Sequence, residues 1–261
     1  MEHNFKKKFG QNFLQDNNIL EKIANSIPIT SDDLVIEIGP GGGALTNKLI
    51  ERTNKLVCFE IDTDLKQPLS KYEDMGAKII YGDFLKQDIN SVISDYTYGN
   101  LYIVANLPYY ITTPIIEKII NDNLPVKNCI FMVQKEVADR LKAKMGTKQY
   151  NSLTIFIDYY FEVKKLFDVN RNSFYPKPNV DSSIISLEKR DNKKVTVNNE
   201  TLFFKLIRDA FTFKRKTLRN NLKVYNLDTI EEVLNKYNFD LNVRAENLSI
   251  EIFADIANSL S

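Results

Sequence analysis

The chain reads as an α/β protein, a parallel sheet layered with helices and followed by a small all-helical domain. Over the first two-thirds, short β-branched apolar runs alternate with segments of helical period, the signature of repeated strand–helix–strand units. Glycines and carboxylates recur at the carboxyl ends of successive runs, where open α/β sheets gather their ligands. From Thr201 onward the apolar spacing is helical alone.

Strands are expected over Leu34–Ile38, Leu56–Ile61, Ala77–Tyr81, Leu101–Ala105 and Cys129–Val133. Helices are expected over Ala44–Arg52, Asp64–Tyr72 and Pro114–Asn121, the last with Thr113 as N-cap and Pro114 in the first helical position. A further helix runs from Lys135 to Lys144, and the apolar stretch Asn151–Tyr160 fits either helix or strand. Phe161–Asp168 and Val180–Glu188 form a pair of strands flanking Phe174-Tyr175-Pro176-Lys177-Pro178. Polar Lys189–Glu200 reads as a linker. Beyond it, Leu202, Phe203, Leu206, Ile207, Ala210 and Phe211 make one helical stripe, with further helices at Ile230–Tyr237 and Ile250–Ala257. The expected domains are 1–190, carrying the ligand pocket, and 198–261, helical.

The 261 residues are 43% hydrophobic and 26% charged, ordinary globular values. No apolar stretch is long enough for a membrane span, and Met1 to Lys8 lacks the apolar segment of a secretory signal, so a cytoplasmic location is expected. Cys58 and Cys129 lie in apolar runs. With a single histidine, His3, they make neither a disulfide framework nor a metal site. The net charge of +1 hides an asymmetry: Lys164 to Lys223 holds 15 Lys and Arg against 6 Asp and Glu, which suggests a polyanionic partner. Within it Lys214, Arg215, Lys216, Arg219 and Lys223 recur at near-helical spacing and are expected to form a basic helix face that tracks phosphates.

Glu37-Ile38-Gly39-Pro40-Gly41-Gly42-Gly43 stands between a strand and a helix, where glycines let the backbone approach a ligand. Such loops hold either the phosphates of a dinucleotide or the methionyl part of S-adenosylmethionine. Glu60-Ile61-Asp62 ends the second strand, where a carboxylate can accept from both hydroxyls of a ribose. Gly82-Asp83-Phe84 follows the third, where Asp83 can accept from an adenine amino group and Phe84 can flank the ring. A nucleoside cofactor is expected. At the end of the next strand, Asn106-Leu107-Pro108-Tyr109 suits alkylation of the exocyclic amine of a nucleobase, a poor nucleophile. The Asn106 amide oxygen and the Leu107 carbonyl would accept the amine hydrogens, Pro108 would fix the turn, and Tyr109 would stack on the base. Phe174, held by Pro176 and Pro178, would stack on an extruded base from the other side.

Together these residues resemble the rRNA adenine N6-methyltransferases, and most closely their small-subunit rRNA adenine dimethylase branch. The likeness runs through Phe9-Gly-Gln-Asn-Phe-Leu14, Glu37 to Thr46, Glu60 to Asp62, Gly82-Asp83, Asn106 to Tyr109, Phe174 to Ser182 and Arg244-Ala-Glu-Asn-Leu-Ser249. It implies a Rossmann-like S-adenosylmethionine-dependent methyltransferase fold with a seven-stranded sheet and a helical C-terminal rRNA-binding domain. It also implies transfer of two methyl groups to each of two adjacent adenosines near the 3′ end of small-subunit rRNA, within a pre-ribosomal particle, by a monomer. By the same likeness Asn12, Leu14, Gly39, Glu60, Asp83 and Asn106 would bind the cofactor, beside Gly41, Ile61 and Phe84 from the loops above. Related resistance methylases of large-subunit rRNA usually carry Ser-Gly-Lys-Gly in the glycine loop and Ile in place of Leu107. Non-catalytic RNA-binding factors share the fold too, but an intact Asn106 to Tyr109 points to an enzyme. Tyr110 departs from the family, which more often has Asn there.

Overall fold

The computed structural model describes residues 12–106 and 111–261. His3, Phe9 to Gln11, Leu107, Pro108, Tyr109 and Tyr110 lie outside the described residues. The chain forms two compact units, Met1–Ala138 with Lys164–Lys189, and Asp139–Val163 with Arg190–Ser261. The sequence pattern predicts a single cut near residue 190. Instead the segment 139–163 goes with the C-terminal helices, because Tyr150, Ile155 and Tyr159 are buried in one core with Phe203, Leu206 and Phe253.

The first unit opens with the short strand β1 (Phe13–Leu14) and α1 (Asn17–Ala24), whose first-turn N–H groups of Asn18 and Ile19 are accepted by the Asp16 carboxylate. Then follow β2 (Leu34–Ile38), α2 (Thr46–Leu49), β3 (Lys55–Glu60), α3 (Lys66–Asp74), β4 (Lys78–Tyr81), α4 (Ile89–Ser94), β5 (Leu101–Asn106), α5 (Thr112–Asn121) and β6 (Val126–Gln134). Helices α6 (Lys135–Leu141) and α7 (Ser152–Tyr160) precede β7 (Phe161–Val169), β8 (Phe174–Tyr175) and β9 (Ser182–Lys189). The ambiguous Asn151 stretch is helical because Asn151 caps it. Its Oδ1 accepts from the N–H groups of Leu153 and Thr154, and Thr154 Oγ1 accepts in return from the Asn151 N–H.

The sheet has the order β4-β3-β2-β5-β6-β9-β7, parallel from β4 through β6, with β9 antiparallel to β6. This is the seven-stranded sheet that the resemblance implies. Every residue of β2 is buried, as a central parallel strand covered on both faces requires. A separate two-stranded ribbon pairs β1 antiparallel with β8, setting Leu14 opposite Phe174. Cys58 and Cys129 are free and buried, as expected of core residues.

The second unit adds α8 (Glu200–Ala210), α9 (Leu218–Asn221), α10 (Leu227–Lys236) and α11 (Ile250–Ser259) around its own apolar core. Three local expectations are corrected. Helix α2 covers only the middle of Ala44–Arg52, because tighter bonds such as Lys48 N–H to the Leu45 carbonyl and Arg52 N–H to the Leu49 carbonyl close its ends as turns. Thr113 is not an N-cap: α5 begins at Thr112, and Ile111 occupies the cap position with no side-chain bond. Lys214, Arg215, Lys216, Arg219 and Lys223 do not share one helix face: the first three lie in turns, Arg219 is on α9, and Lys223 follows its end. Helix α8 ends at Ala210, whose carbonyl accepts from Asn221 Nδ2 at 2.6 Å, and residues 211–217 form turns in which Lys216 N–H meets the Phe213 carbonyl.

Candidate active site

Parallel register brings the ends of four adjacent strands together. Ile38 is level with Phe59 of β3 and Ala105 of β5, and Glu60 is level with Tyr81 of β4. The loops leaving these strands are tied by backbone bonds, Gly39 N–H to the Phe59 carbonyl at 2.9 Å and Gly82 N–H to the Glu60 carbonyl at 2.8 Å. The glycine loop, Glu60, Asp83 and Asn106 therefore border one cavity of about 390 Å³, within the usual range for small-ligand sites.

The glycine loop is shaped by what faces it. Gly41 adopts φ +57°, and a Cβ there would stand 2.5 Å from Phe13 Cε1. Gly43 adopts φ +82°, and a Cβ would stand 2.1 Å from Tyr72 Cε2. Tyr72 is itself buried and donates its hydroxyl to the Gly43 carbonyl at 2.7 Å. Only glycine fits either place without moving a packed ring.

Glu60 is 4% exposed. Its Oε2 accepts from the Gly41 N–H at 3.0 Å and its Oε1 from the Asp62 N–H at 2.8 Å. An ionised carboxylate has about four acceptor positions, so about two remain open toward the cavity. Burial raises its pKa, opposed by these backbone bonds. Asp83 caps the turn that follows it by accepting from the Leu85 N–H through Oδ1. Phe84 is buried edge-on to Phe59, with centroids 5.2 Å apart at 84°, so its position on the cavity wall is fixed. Ile61 is exposed at the cavity rim.

Asn106 ends β5, and its Nδ2 donates to the Asn12 backbone carbonyl at 3.3 Å. That bond fixes which end of the amide donates, and the oxygen is the end available as an acceptor. Leu14 is buried on the same cavity wall as Asn12. Phe174 borders the cavity but is 5% exposed within the apolar core, paired with Leu14 across the ribbon. The structure thus brings Asn12, Leu14, Gly39, Gly41, Glu60, Ile61, Asp83, Phe84, Asn106 and Phe174 around one cavity.

In the second unit Lys214, Arg215, Lys216, Arg219 and Lys223 are all exposed. Lys214 Nζ donates to the Lys148 carbonyl at 2.5 Å, and Arg219 meets Glu231 at 3.7 Å. Phe213 stands beside them, 62% exposed.

One functional candidate opens the glycine-loop motif but is given no role by it. Glu37 is 2% exposed in the middle of the sheet and lines the cavity. Cys58, its register partner, donates its thiol to Glu37 Oε2 at 3.6 Å. Burial pushes the Glu37 carboxyl up to about 7, with Thr46 and Cys58 opposing and Glu60 adding to the rise. The signal lies in the sequence as a carboxylate inside the otherwise apolar run Leu34–Ile38. Among the described residues no group of three or more His, Cys, Asp and Glu is arranged to hold a metal ion, and no helix is long and apolar enough to cross a membrane.

The fold and the pocket at its strand ends define an α/β methyltransferase. The family model for ribosomal RNA adenine dimethylase matches residues 2–261, and the chain belongs to that family. It is 47% identical to a ribosomal RNA small subunit methyltransferase A from Geobacillus sp. (strain WCH70), over 98% of this chain and 91% of that one. It is 46% identical to the protein of the same name from Bacillus pumilus (strain SAFR-032), with the same coverage. A crystal structure of a dimethyladenosine transferase from Plasmodium falciparum superposes with a TM-score of 0.78 at 30% identity, covering 94% of this chain and 95% of that one. The 23S rRNA methyltransferase ErmE shares the fold, with a TM-score of 0.71 at 23% identity over 95% of this chain and 99% of that one.

Proposed function

We propose that this protein uses S-adenosylmethionine to methylate N6 of two adjacent adenosines near the 3′ end of small-subunit rRNA, giving N6,N6-dimethyladenosine within an assembling particle in the cytoplasm, as a monomer. The observation that carries the reading is the convergence of Glu60, Asp83 and Asn106 from three strands on one cavity. Its reach to small-subunit rRNA rests on the relatives of that name.

The residues fit the cofactor. Glu60 keeps acceptor positions for a ribose, Asp83 for an adenine amine, and the glycine loop lines the same cavity. When bound, S-adenosylmethionine supplies an electrophilic methyl group carried on a sulfonium. Asn106 Oδ1 accepts one hydrogen of the target amine, and the Leu107 carbonyl, on sequence grounds, accepts the other. Electron density then returns to nitrogen as charge develops. Tyr109 and Phe174 are assigned to holding the extruded base, Pro108 to shaping the turn between the acceptors, and orientation supplies much of the acceleration. An alkylated adenine amine is acidic enough to release its proton to water, so the chain needs no strong base. Lys214, Arg215, Lys216, Arg219 and Lys223 are assigned to rRNA phosphates.

Purified protein incubated with S-adenosylmethionine and either small-subunit particles or large-subunit rRNA, followed by nucleoside analysis, tests this. Dimethyladenosine at two adjacent positions of the small-subunit RNA is the expected product. Methylation of large-subunit rRNA alone, or none, overturns the reading.

A further inference from the structure

Glu37 is a carboxylate with unusual company. It is buried in the central strand, the donor it meets across the sheet is a thiol at 3.6 Å, and it lines the cavity. The groups facing it are Cys58 and Glu60 from β3, with Asp62 just beyond, the Thr46 hydroxyl from α2, and uncharged Val104 opposite it on β5. Asn106 lies two residues past Val104 on the same strand face and contributes only an amide. Among the described residues, no lysine, arginine or histidine acts on it. Burial holds the Cys58 thiol protonated, so it can donate but brings no positive charge. A buried carboxylate without a cation is costly to ionise and stays neutral instead.

We propose that Glu37 reads the charge of the bound cofactor: it is held as the neutral acid in the free pocket and gives its proton to solvent when a sulfonium ligand binds, so that it favours S-adenosylmethionine over the neutral thioether product. The inference rests on the cofactor reading given above. The two ligands share the adenosyl group and the amino-acid end and differ by one methyl and one positive charge. Titration of Glu60 and Asp62 against the shared adenosyl part cancels in a comparison of the two, whereas a carboxylate that responds to the sulfonium does not. One added unit charge inside a small, weakly screened pocket shifts a neighbouring acid by about one to two pKa units. Through linkage, affinity for the cationic ligand then rises about seven- to twentyfold between about pH 5.5 and about pH 8, levelling off above the free-pocket titration near 7. The product, lacking that charge, shows little such rise. The consequence for turnover is that the pocket loosens its hold once the methyl group has left.

Calorimetric titration of the whole protein with S-adenosylmethionine and with S-adenosylhomocysteine, near pH 6.5 in two buffers of different ionisation enthalpy, counts the protons released. A substantial fraction of a proton is expected for the sulfonium and much less for the thioether, with the difference abolished in Glu37→Gln, which mimics the neutral acid and keeps the side-chain volume. Equal proton release for both ligands in the wild type overturns the inference and leaves the cofactor reading standing. An undiminished difference in a folded Glu37→Gln assigns the proton to another group and also overturns it. Failure of the wild type to bind either ligand overturns the cofactor reading, and this inference with it.

Discussion

Replacing Glu60 with Gln separates the two tasks of that carboxylate. In the wild type its oxygens accept from Gly41 and Asp62 N–H groups at 3.0 and 2.8 Å, leaving about two acceptor positions for a ligand. An amide has one oxygen. If that oxygen keeps the shorter bond to Asp62, the amide NH2 is turned toward the Gly41 N–H and neither end can accept from a second hydroxyl. One lost hydrogen bond to a charged group costs about 1.5 to 3 kcal/mol, so cofactor affinity should fall about ten- to hundredfold. Stability should move far less: the amide loses the Gly41 bond but also removes a charge that burial already disfavours. Calorimetric affinity and denaturant unfolding, measured on the same sample, read the two effects. Wild-type affinity in Glu60→Gln, or a loss of stability as large as the loss of binding, would refute the division of labour.

Glu37→Gln should flatten part of the dependence of stability on pH. The native carboxyl titrates near 7 against an ordinary 4.5, so its contribution is fully present below about pH 4.5 and is lost as pH rises through about 7, about 3 kcal/mol in all. Denaturant midpoints compared across that window check it. Gly43→Ala should cost about 2 to 4 kcal/mol, since the methyl would meet the buried Tyr72 ring at 2.1 Å on a backbone with φ +82°, and thermal unfolding would show an unchanged midpoint if the loop can yield. Asn106→Ala should lower the single-turnover methyl-transfer rate about 10²- to 10³-fold at saturating cofactor; a normal rate on small-subunit particles would remove Asn106 from the chemistry. Changing Lys214, Arg215 and Lys216 together to Gln should flatten the salt dependence of RNA binding by about 0.7 to 0.9 in log–log slope for each phosphate that is no longer neutralised, and an unchanged slope would make them ordinary surface.

Period and composition are enough to locate the buried strands. β2 falls on the expected Leu34–Ile38, and β3 and β5 shift by no more than a residue or so, because parallel strands covered on both faces are written as continuous apolar runs. The site's glycines and carboxylates are legible for a related reason: their strand-end placement is a consequence of topology. Helices α1 and α4 escape the pattern. α1 opens on polar Asn17-Asn18 and spans 8 residues, too few for a clear helical stripe. α4 spans 6 and depends on the Asp88 side chain accepting from the Ser91 N–H. The basic residues 214–216 mislead because lysine and arginine repeat at helical spacing in a turn as easily as in a helix; α8 closes instead in a tighter turn, Thr212 N–H to the Asp209 carbonyl, and Asn221, 11 residues beyond Ala210, takes the orphan Ala210 carbonyl. The tight fits of Phe13 on Gly41 and of Tyr72 on Gly43 join distant segments, which no local pattern encodes.

Glu37 and Glu60 show how one pocket gives two carboxylates different work. Both are buried, and burial raises both, yet Glu60 receives two backbone N–H groups while Glu37 faces only the Thr46 hydroxyl and the Cys58 thiol. The N–H groups favour the ionised form of Glu60, which suits it to accept from neutral sugar hydroxyls. The poor donor set of Glu37 leaves its ionisation to whatever charge enters the cavity. Environments that drive two nearby acids apart assign them separate roles. Here the division follows from register: β2 sets Glu37 beside Cys58, one alternation below the strand end, while Glu60 reaches the turn whose backbone is free to donate. Moving either carboxylate by one residue along its strand would point it to the other face of the sheet and remove it from the pocket.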